Sequence, residues 1–200
     1  MNFAKHILPG IAALMLLTSA ERHLTHEPTI DRNEALAAFE YLNKVRQNPD
    51  AFSKSIGISL KSVKPARQLT WNDTLAKVAE QRALDMIKRD YFAHVNPDGD
   101  GVNILIHEAG YELNEAFIDK RSVNYFESLQ AGYSTAIEII NDLIVDEGES
   151  DRGHRKHLLG IDESNNPWNS NLIDIGIGIA SSPDYEFGSI TSVIIAKHDW

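Results

Sequence analysis

Leu172-Ile173-Asp174-Ile175-Gly176-Ile177-Gly178-Ile179-Ala180-Ser181 decides the fold class of this chain. Side chains of an extended segment alternate between two faces, so Gly176 and Gly178 fall on the same face. Two small residues on one face let a helix or a ligand come close to the strand. Pro183 to Gly188 then reads as a turn, and Ser189 to Lys197 as a second, β-branched strand. The two strands are expected to pair as a hairpin. Working upstream, His154 to Leu159 suits a short helix ended by Gly160, and residues 161–170 a polar loop. Before it lies an apolar helical face of Ala136, Ile137, Ile140, Leu143 and Ile144. Ser134, in the turn Gly132-Tyr133-Ser134, is the expected cap of that helix. Ser122 to Gln130 suits a third strand.

The first half of the chain is helical in pattern. Trp71-Asn72-Asp73 opens the clearest helix, whose apolar stripe of Leu75, Val78, Ala79, Ala83, Met86 and Ile87 runs to about Asp90. Asp31 and Glu34 have capping-box spacing ahead of Leu36, Phe39, Leu42 and Val45. Asn48-Pro49 closes that helix, because a residue before proline avoids the helical region. Shorter helices are expected over 51–56 and 102–109, the latter stopped by Gly110. Helices first, then a few strands with helices between them, make an α+β domain with a small, mainly antiparallel sheet.

The ends and the composition narrow the function. Lys5 and His6, an apolar stretch from Ile7 to Leu17 and Thr18-Ser19-Ala20 follow the order of a secretory signal, so residues 1–20 are read as a signal peptide. Residues 21–32 read as a polar linker and 33–200 as one domain. The location implied is secreted or periplasmic. No later apolar run is long enough to span a bilayer as a helix. A formal charge of −10 argues against nucleic acid, whose binding rests on Lys and Arg meeting phosphates. It favours attraction of cations. The chain has no cysteine, which excludes disulfides and thiolate metal sites.

Two histidine contexts carry the candidate chemistry. His94 lies in Tyr91-Phe92-Ala93-His94-Val95-Asn96-Pro97-Asp98-Gly99, between a helix and a tight turn. His154 lies in Arg152-Gly153-His154-Arg155-Lys156-His157, at a helix start. Glu108, Glu127, Asp142, Asp146, Glu147 and Glu149 lie between them. Neutral imidazole and carboxylate both ligate divalent metals, and a carboxylate also orients a ligating His through its other ring nitrogen. The spacing leaves open whether these groups meet. His107, His157 and His198 read as surface or structural histidines.

Four segments together resemble the CAP superfamily of cysteine-rich secretory, venom-antigen and pathogenesis-related proteins. Tyr41-Leu42-Asn43-Lys44-Val45-Arg46-Gln47-Asn48-Pro49 resembles the opening helix of its bacterial members. Leu69-Thr70-Trp71-Asn72-Asp73, Tyr91-Phe92-Ala93-His94 and Gly153-His154-Arg155-Lys156-His157 resemble three further signatures, and Ile175-Gly176-Ile177-Gly178 the strand that follows. The resemblance covers about residues 33–200. It implies a three-layer α-β-α sandwich and a cleft with a His, Glu, Glu, His set. His94 and His154 match the histidines and Glu127 the first acid. Ser128 departs from the family's usual Asn. The second acid falls on Asp146, with Glu147 or Glu149 as alternatives. In relatives such a cleft can bind zinc or another divalent cation, and several eukaryotic members bind sterols or other lipids.

These observations make three functions available. The first is a non-enzymatic or weakly catalytic exported domain holding a divalent cation through His94 and His154, with Glu127 and Asp146 in support and an unidentified small-molecule, lipid or protein ligand. The second is a metal-assisted hydrolase of peptide or cell-wall material with Glu127 as the candidate catalytic base. The third is a lipid-binding or surface interaction protein whose histidines are structural. Two decoys need weighing. Asn96, Asp98, Asp100 and Gly101 fit the start of a calcium loop, but the twelfth place is His107 instead of Glu. Gly132-Tyr133-Ser134-Thr135-Ala136 is similar to a nucleophile elbow, yet the large, mostly parallel sheet of that fold is missing.

Overall fold

The computed structural model describes residues 24–163 and 166–198, so the expected signal segment lies outside the described residues. Strand β1 (Thr29–Ile30) and helices α1 (Arg32–Gln47) and α2 (Pro49–Ile56) come first. Strand β2 (Thr70–Trp71), α3 (Asp73–Lys88) and α4 (Val102–Glu108) follow, then β3 (Glu127–Ala131), α5 (Ala136–Val145) and α6 (Gly153–Leu159). The hairpin β4 (Asp174–Ser181) and β5 (Ser189–Ala196) completes the sheet. Its order is β1-β4-β5-β3, antiparallel throughout, with β2 joining β4 in parallel. Helical layers cover both faces, so the arrangement is the expected α-β-α sandwich.

The two strand glycines explain the tightest contact. A Cβ on Gly176 would stand 2.1 Å from the backbone nitrogen of Ala76, and one on Gly178 2.1 Å from that of Glu80. The backbone of α3 therefore rests directly on the hairpin. Leu75, Val78, Ala79, Ala83, Met86 and Ile87 are all buried. Opposite them, Ile175, Ile177 and Ile179 pack into the core with Ala35, Ala38 and Leu42 of α1. Asn72 caps α3 by accepting from the backbone N–H groups of Thr74 and Leu75. Among the described residues no helix is long and apolar enough to cross a membrane.

Several local expectations are corrected. Residues 122–126 are not strand, because Asn124 Oδ1 accepts from the backbone N–H groups of Phe126 and Glu127 and turns the chain. The cap of α5 is Thr135, not Ser134. Ile139 is buried while Ile137 is exposed. Leu36 is exposed as well, and Ala35 and Ala38 take the buried side of α1. Asp31 caps α1 as expected, but Glu34 does not reach back to it. Its carboxylate accepts instead from the backbone N–H of Ala136, at the start of α5, at 2.6 Å. Within the stretch read as linker, Thr29 and Ile30 pair with Ser181 and Ala180, and Thr25 donates to Asp184 in the β4–β5 turn.

Candidate functional site

β3 is an edge strand, and consecutive residues on it face opposite layers. Glu127 pairs across the sheet with Ile194, which faces Gly176 and therefore α3. Ser128 faces the other layer, where α6 lies. The cleft straddles this edge, so one layer supplies His94 and the other supplies His154. It is an open depression of about 600 Å³ lined by both histidines, Glu127, Ser128, Glu149 and His157, among others. Tyr125 and Phe92 give it partly exposed aromatic walls.

In the first half, His94 Nδ1 lies 3.0 Å from Glu127 Oε2. Glu127 is buried beneath it and accepts three more hydrogen bonds. Arg82 donates Nε to Oε1 at 3.0 Å and Nη2 to Oε2 at 3.2 Å, and Ser192 Oγ donates to Oε1 at 2.9 Å. Burial pushes the Glu127 pKa up, but the hydrogen bonds from His94 and Arg82 outweigh it and hold the carboxyl below its usual range. Glu127 is therefore an ionised acceptor, and His94 Nδ1 carries the proton between them. Arg82 also donates to Tyr91 Oη and to the Ala93 carbonyl, which fixes the segment leading into His94.

In the second half, His154 Nδ1 lies 2.9 Å from Asp146 Oδ1. Asp146 ends α5 in the left-handed region, with φ +50°. Its Oδ2 accepts from the backbone N–H of Arg155, and its carbonyl accepts from Arg152 Nη1. Of the three acids considered for this place, Asp146 meets His154, Glu149 lines the cleft and Glu147 does neither. Both histidines thus spend Nδ1 on a buried carboxylate. Neither Nε2 has a hydrogen-bond partner among the described residues, and both rings line the cleft.

His157, expected to be structural, is buried at the cleft floor. Its Nε2 faces the Ile195 carbonyl at 3.4 Å, which only accepts, so Nδ1 accepts from the Ser128 hydroxyl at 2.8 Å. Burial pushes its pKa down to about 4, which keeps the ring neutral. Ser128 and His157 are therefore a fixed neutral pair. His198 hydrogen-bonds Asp174 away from the cleft. Among the described residues, no group of three or more His, Cys, Asp or Glu side chains is arranged to hold a metal ion.

The decoys resolve into ordinary structure. Asn96 Oδ1 accepts from the backbone N–H groups of Asp98 and Asp100. Asp98 pairs with Arg89, and Asp100 with Arg121. Ser134 does not line the cleft, and Asp146 and His154 are paired with each other. Sequence reasoning missed Arg82, whose signal was its position: it follows Leu75, Val78 and Ala79 on the buried stripe of α3. A charged residue on such a stripe points to a buried partner.

A family model described as CAP, the cysteine-rich secretory protein family, matches residues 39–194. No curated protein matches the chain. Two of the solved structures that match illustrate the shared fold. One is an extracellular protein containing an SCP domain from Bacillus anthracis str. Ames, with 18% identity and a TM-score of 0.52, covering 82% of this chain. This chain spans 41% of that protein. The other is an outer surface protein from Borrelia burgdorferi, with 16% identity and a TM-score of 0.53, covering 84% of this chain and 97% of that one.

Proposed function

The chain belongs to the CAP family, and on that premise we propose that it is an exported domain whose cleft binds a divalent cation, zinc or a similar ion, through Nε2 of His94 and His154. The observation that carries this reading is the parallel treatment of the two rings. Each donates Nδ1–H to a buried carboxylate, which selects the tautomer with a free Nε2 and raises its basicity as a ligand. Two imidazoles from opposite layers fit the donor chemistry of such an ion, with water or a ligand completing its shell. The acidic chain favours cations in its surroundings.

A bound cation would supply Lewis-acid polarisation to a ligand in the cleft. The residues themselves do the remaining work. Glu127 and Asp146 orient the rings, Arg82 neutralises Glu127, and Tyr125 and Phe92 offer apolar walls to whatever enters. A binding role is favoured over a hydrolase with Glu127 as base. Both Glu127 oxygens already accept two hydrogen bonds each, and Arg82 holds the carboxyl in its charged, weakly basic form. Export is supported by the signal-like order of residues 1–20 and by relatives described as extracellular and as an outer surface protein.

The test is calorimetric titration of zinc into metal-free residues 21–200, beside the His94→Ala/His154→Ala variant. Single-site binding that disappears in the variant is expected. Equal binding in both proteins would refute the reading and leave the histidines structural.

A further inference from the structure

Helix α6 separates two depressions. His154 and His157 line the cleft described above. Arg155, Lys156 and Gly160 line a second groove of about 790 Å³, shared with the loop 59–67. Five basic side chains, Lys64, Arg67, Arg152, Arg155 and Lys156, line it against two acids, Asp151 and Asp162. This is a concentration of positive charge on a chain of formal charge −10.

The partners of these groups sharpen the contrast. Asp162 accepts from the Ser170 backbone and hydroxyl, and Asp151 from the Gly153 N–H. Lys156 pairs with Glu163. Among the described residues the guanidinium groups of the arginines donate to carbonyls alone: Arg67 to Asn171, Arg155 to Ile144 and Val145, and Arg152 to Asp146. None of the three guanidinium groups makes a hydrogen bond or close ion pair with a carboxylate among the described residues, although Arg155 feels the charge of Asp146.

Behind the groove lies Arg46, fully buried. Its Nε and Nη1 donate to the carbonyls of Arg67 and Leu158, and its Nη2 has no hydrogen-bond partner among the described residues. That Nη2 lies 3.1 Å from the point where a Cβ on Gly160 would stand, with Nη1 at 3.3 Å and Ala66 Cβ at 3.4 Å. Gly160 and Ala66 both line the groove, so the guanidinium backs its wall where Gly160 has no side chain. Burial, and then the charge of Arg67, lowers the Arg46 pKa to about 10, which leaves it cationic at neutral pH. A buried cation with an unmet donor is costly, and an anion seated nearby offsets that cost.

We propose that this groove binds a phosphate group carrying two negative charges, with Lys64, Arg67 and Arg152 facing it and Arg46 behind Gly160. Several guanidinium forks around one depression match the multiple acceptor oxygens of phosphate, and their combined charge suits a dianion better than a single carboxylate. The site is separate from the histidine cleft and does not depend on the cation reading.

The experiment titrates inorganic pyrophosphate into the full chain and follows backbone amide resonances. Saturable shifts confined to residues 59–67 and 151–162 are expected. Lys64→Glu/Arg67→Glu, at two exposed positions, should weaken binding by about tenfold or more. Lys77→Glu/Lys120→Glu, the same charge change elsewhere on the surface, should leave it unchanged. Zinc binding should persist in both variants, so a failure here is distinct from a failure of the cation reading. Co-sedimentation with phosphatidylcholine vesicles containing phosphatidic acid separates the sources: pyrophosphate binding alone assigns a soluble phosphate, and both together assign a lipid headgroup. No saturable binding of either probe, or equal loss in the two variants, overturns the proposal.

Discussion

His94 and His154 each donate to a carboxylate buried beneath the ring, yet the two carboxylates are held by different means. Glu127 sits on a strand between sheet and helix and is matched by a full counter-charge, the guanidinium of Arg82. Asp146 sits at the end of α5 in a left-handed conformation and is matched by a backbone N–H from the start of α6. The first half is a buried ion pair built across two elements. The second is a local device, built from one short stretch of chain. Their difference teaches that one ring orientation is tied to the packing of the whole domain, while the other is tied to a single loop.

The largest expected effect breaks the first half. Arg82→Met leaves Glu127 buried without its counter-ion and should cost about 3–5 kcal/mol, read by urea unfolding near neutral pH. The companion change, Asp146→Asn, keeps a residue that tolerates positive φ and should cost about 1–2 kcal/mol by the same measurement. Equal costs would erase the distinction between the halves.

A third histidine sharpens the comparison through pH. The pKa of His157 is lowered from 6.5 to about 4 by burial, so between those values the unfolded chain binds more protons than the folded one. Stability therefore rises with pH across that window and is lost as pH falls through it. The loss should reach about 3 kcal/mol by the lower end, and His157→Gln should flatten the slope. An unchanged slope across that window would place the dependence elsewhere.

The smallest expected effect concerns α5, the helix that delivers Asp146. Thr135→Ala should cost about 1 kcal/mol, because Thr135 Oγ1 accepts from the Glu138 N–H. Ser134→Ala should stay within about 0.5 kcal/mol. Thermal unfolding of the pair tests which residue caps the helix.

Much of this frame was legible in the sequence because its determinants are local. The glycine pair at Gly176 and Gly178, the stripe from Leu75 to Ile87 and the cap at Asp31 each declare themselves within a few residues. The histidine and acid positions came from the family resemblance, since nothing local says that His94 and Glu127 meet. What was not legible depends on tertiary contacts. Glu34 serves a distant helix instead of its own cap. Ile139 outranks Ile137 because α1 and the sheet, not the helix's own pattern, choose its buried side. Asn124 overrides strand propensity by binding the backbone it precedes. Arg82 was visible as an anomaly on an apolar stripe, but its partner lies 45 positions away on another element.

The most direct test of the central claim is nitrogen NMR of the imidazole rings during a zinc titration. Without metal, His94 and His154 should both carry the proton on Nδ1. Zinc should then move both Nε2 resonances together, saturating at one equivalent, and leave His157 unmoved. A shift confined to one ring, or no shift in either, would contradict the account.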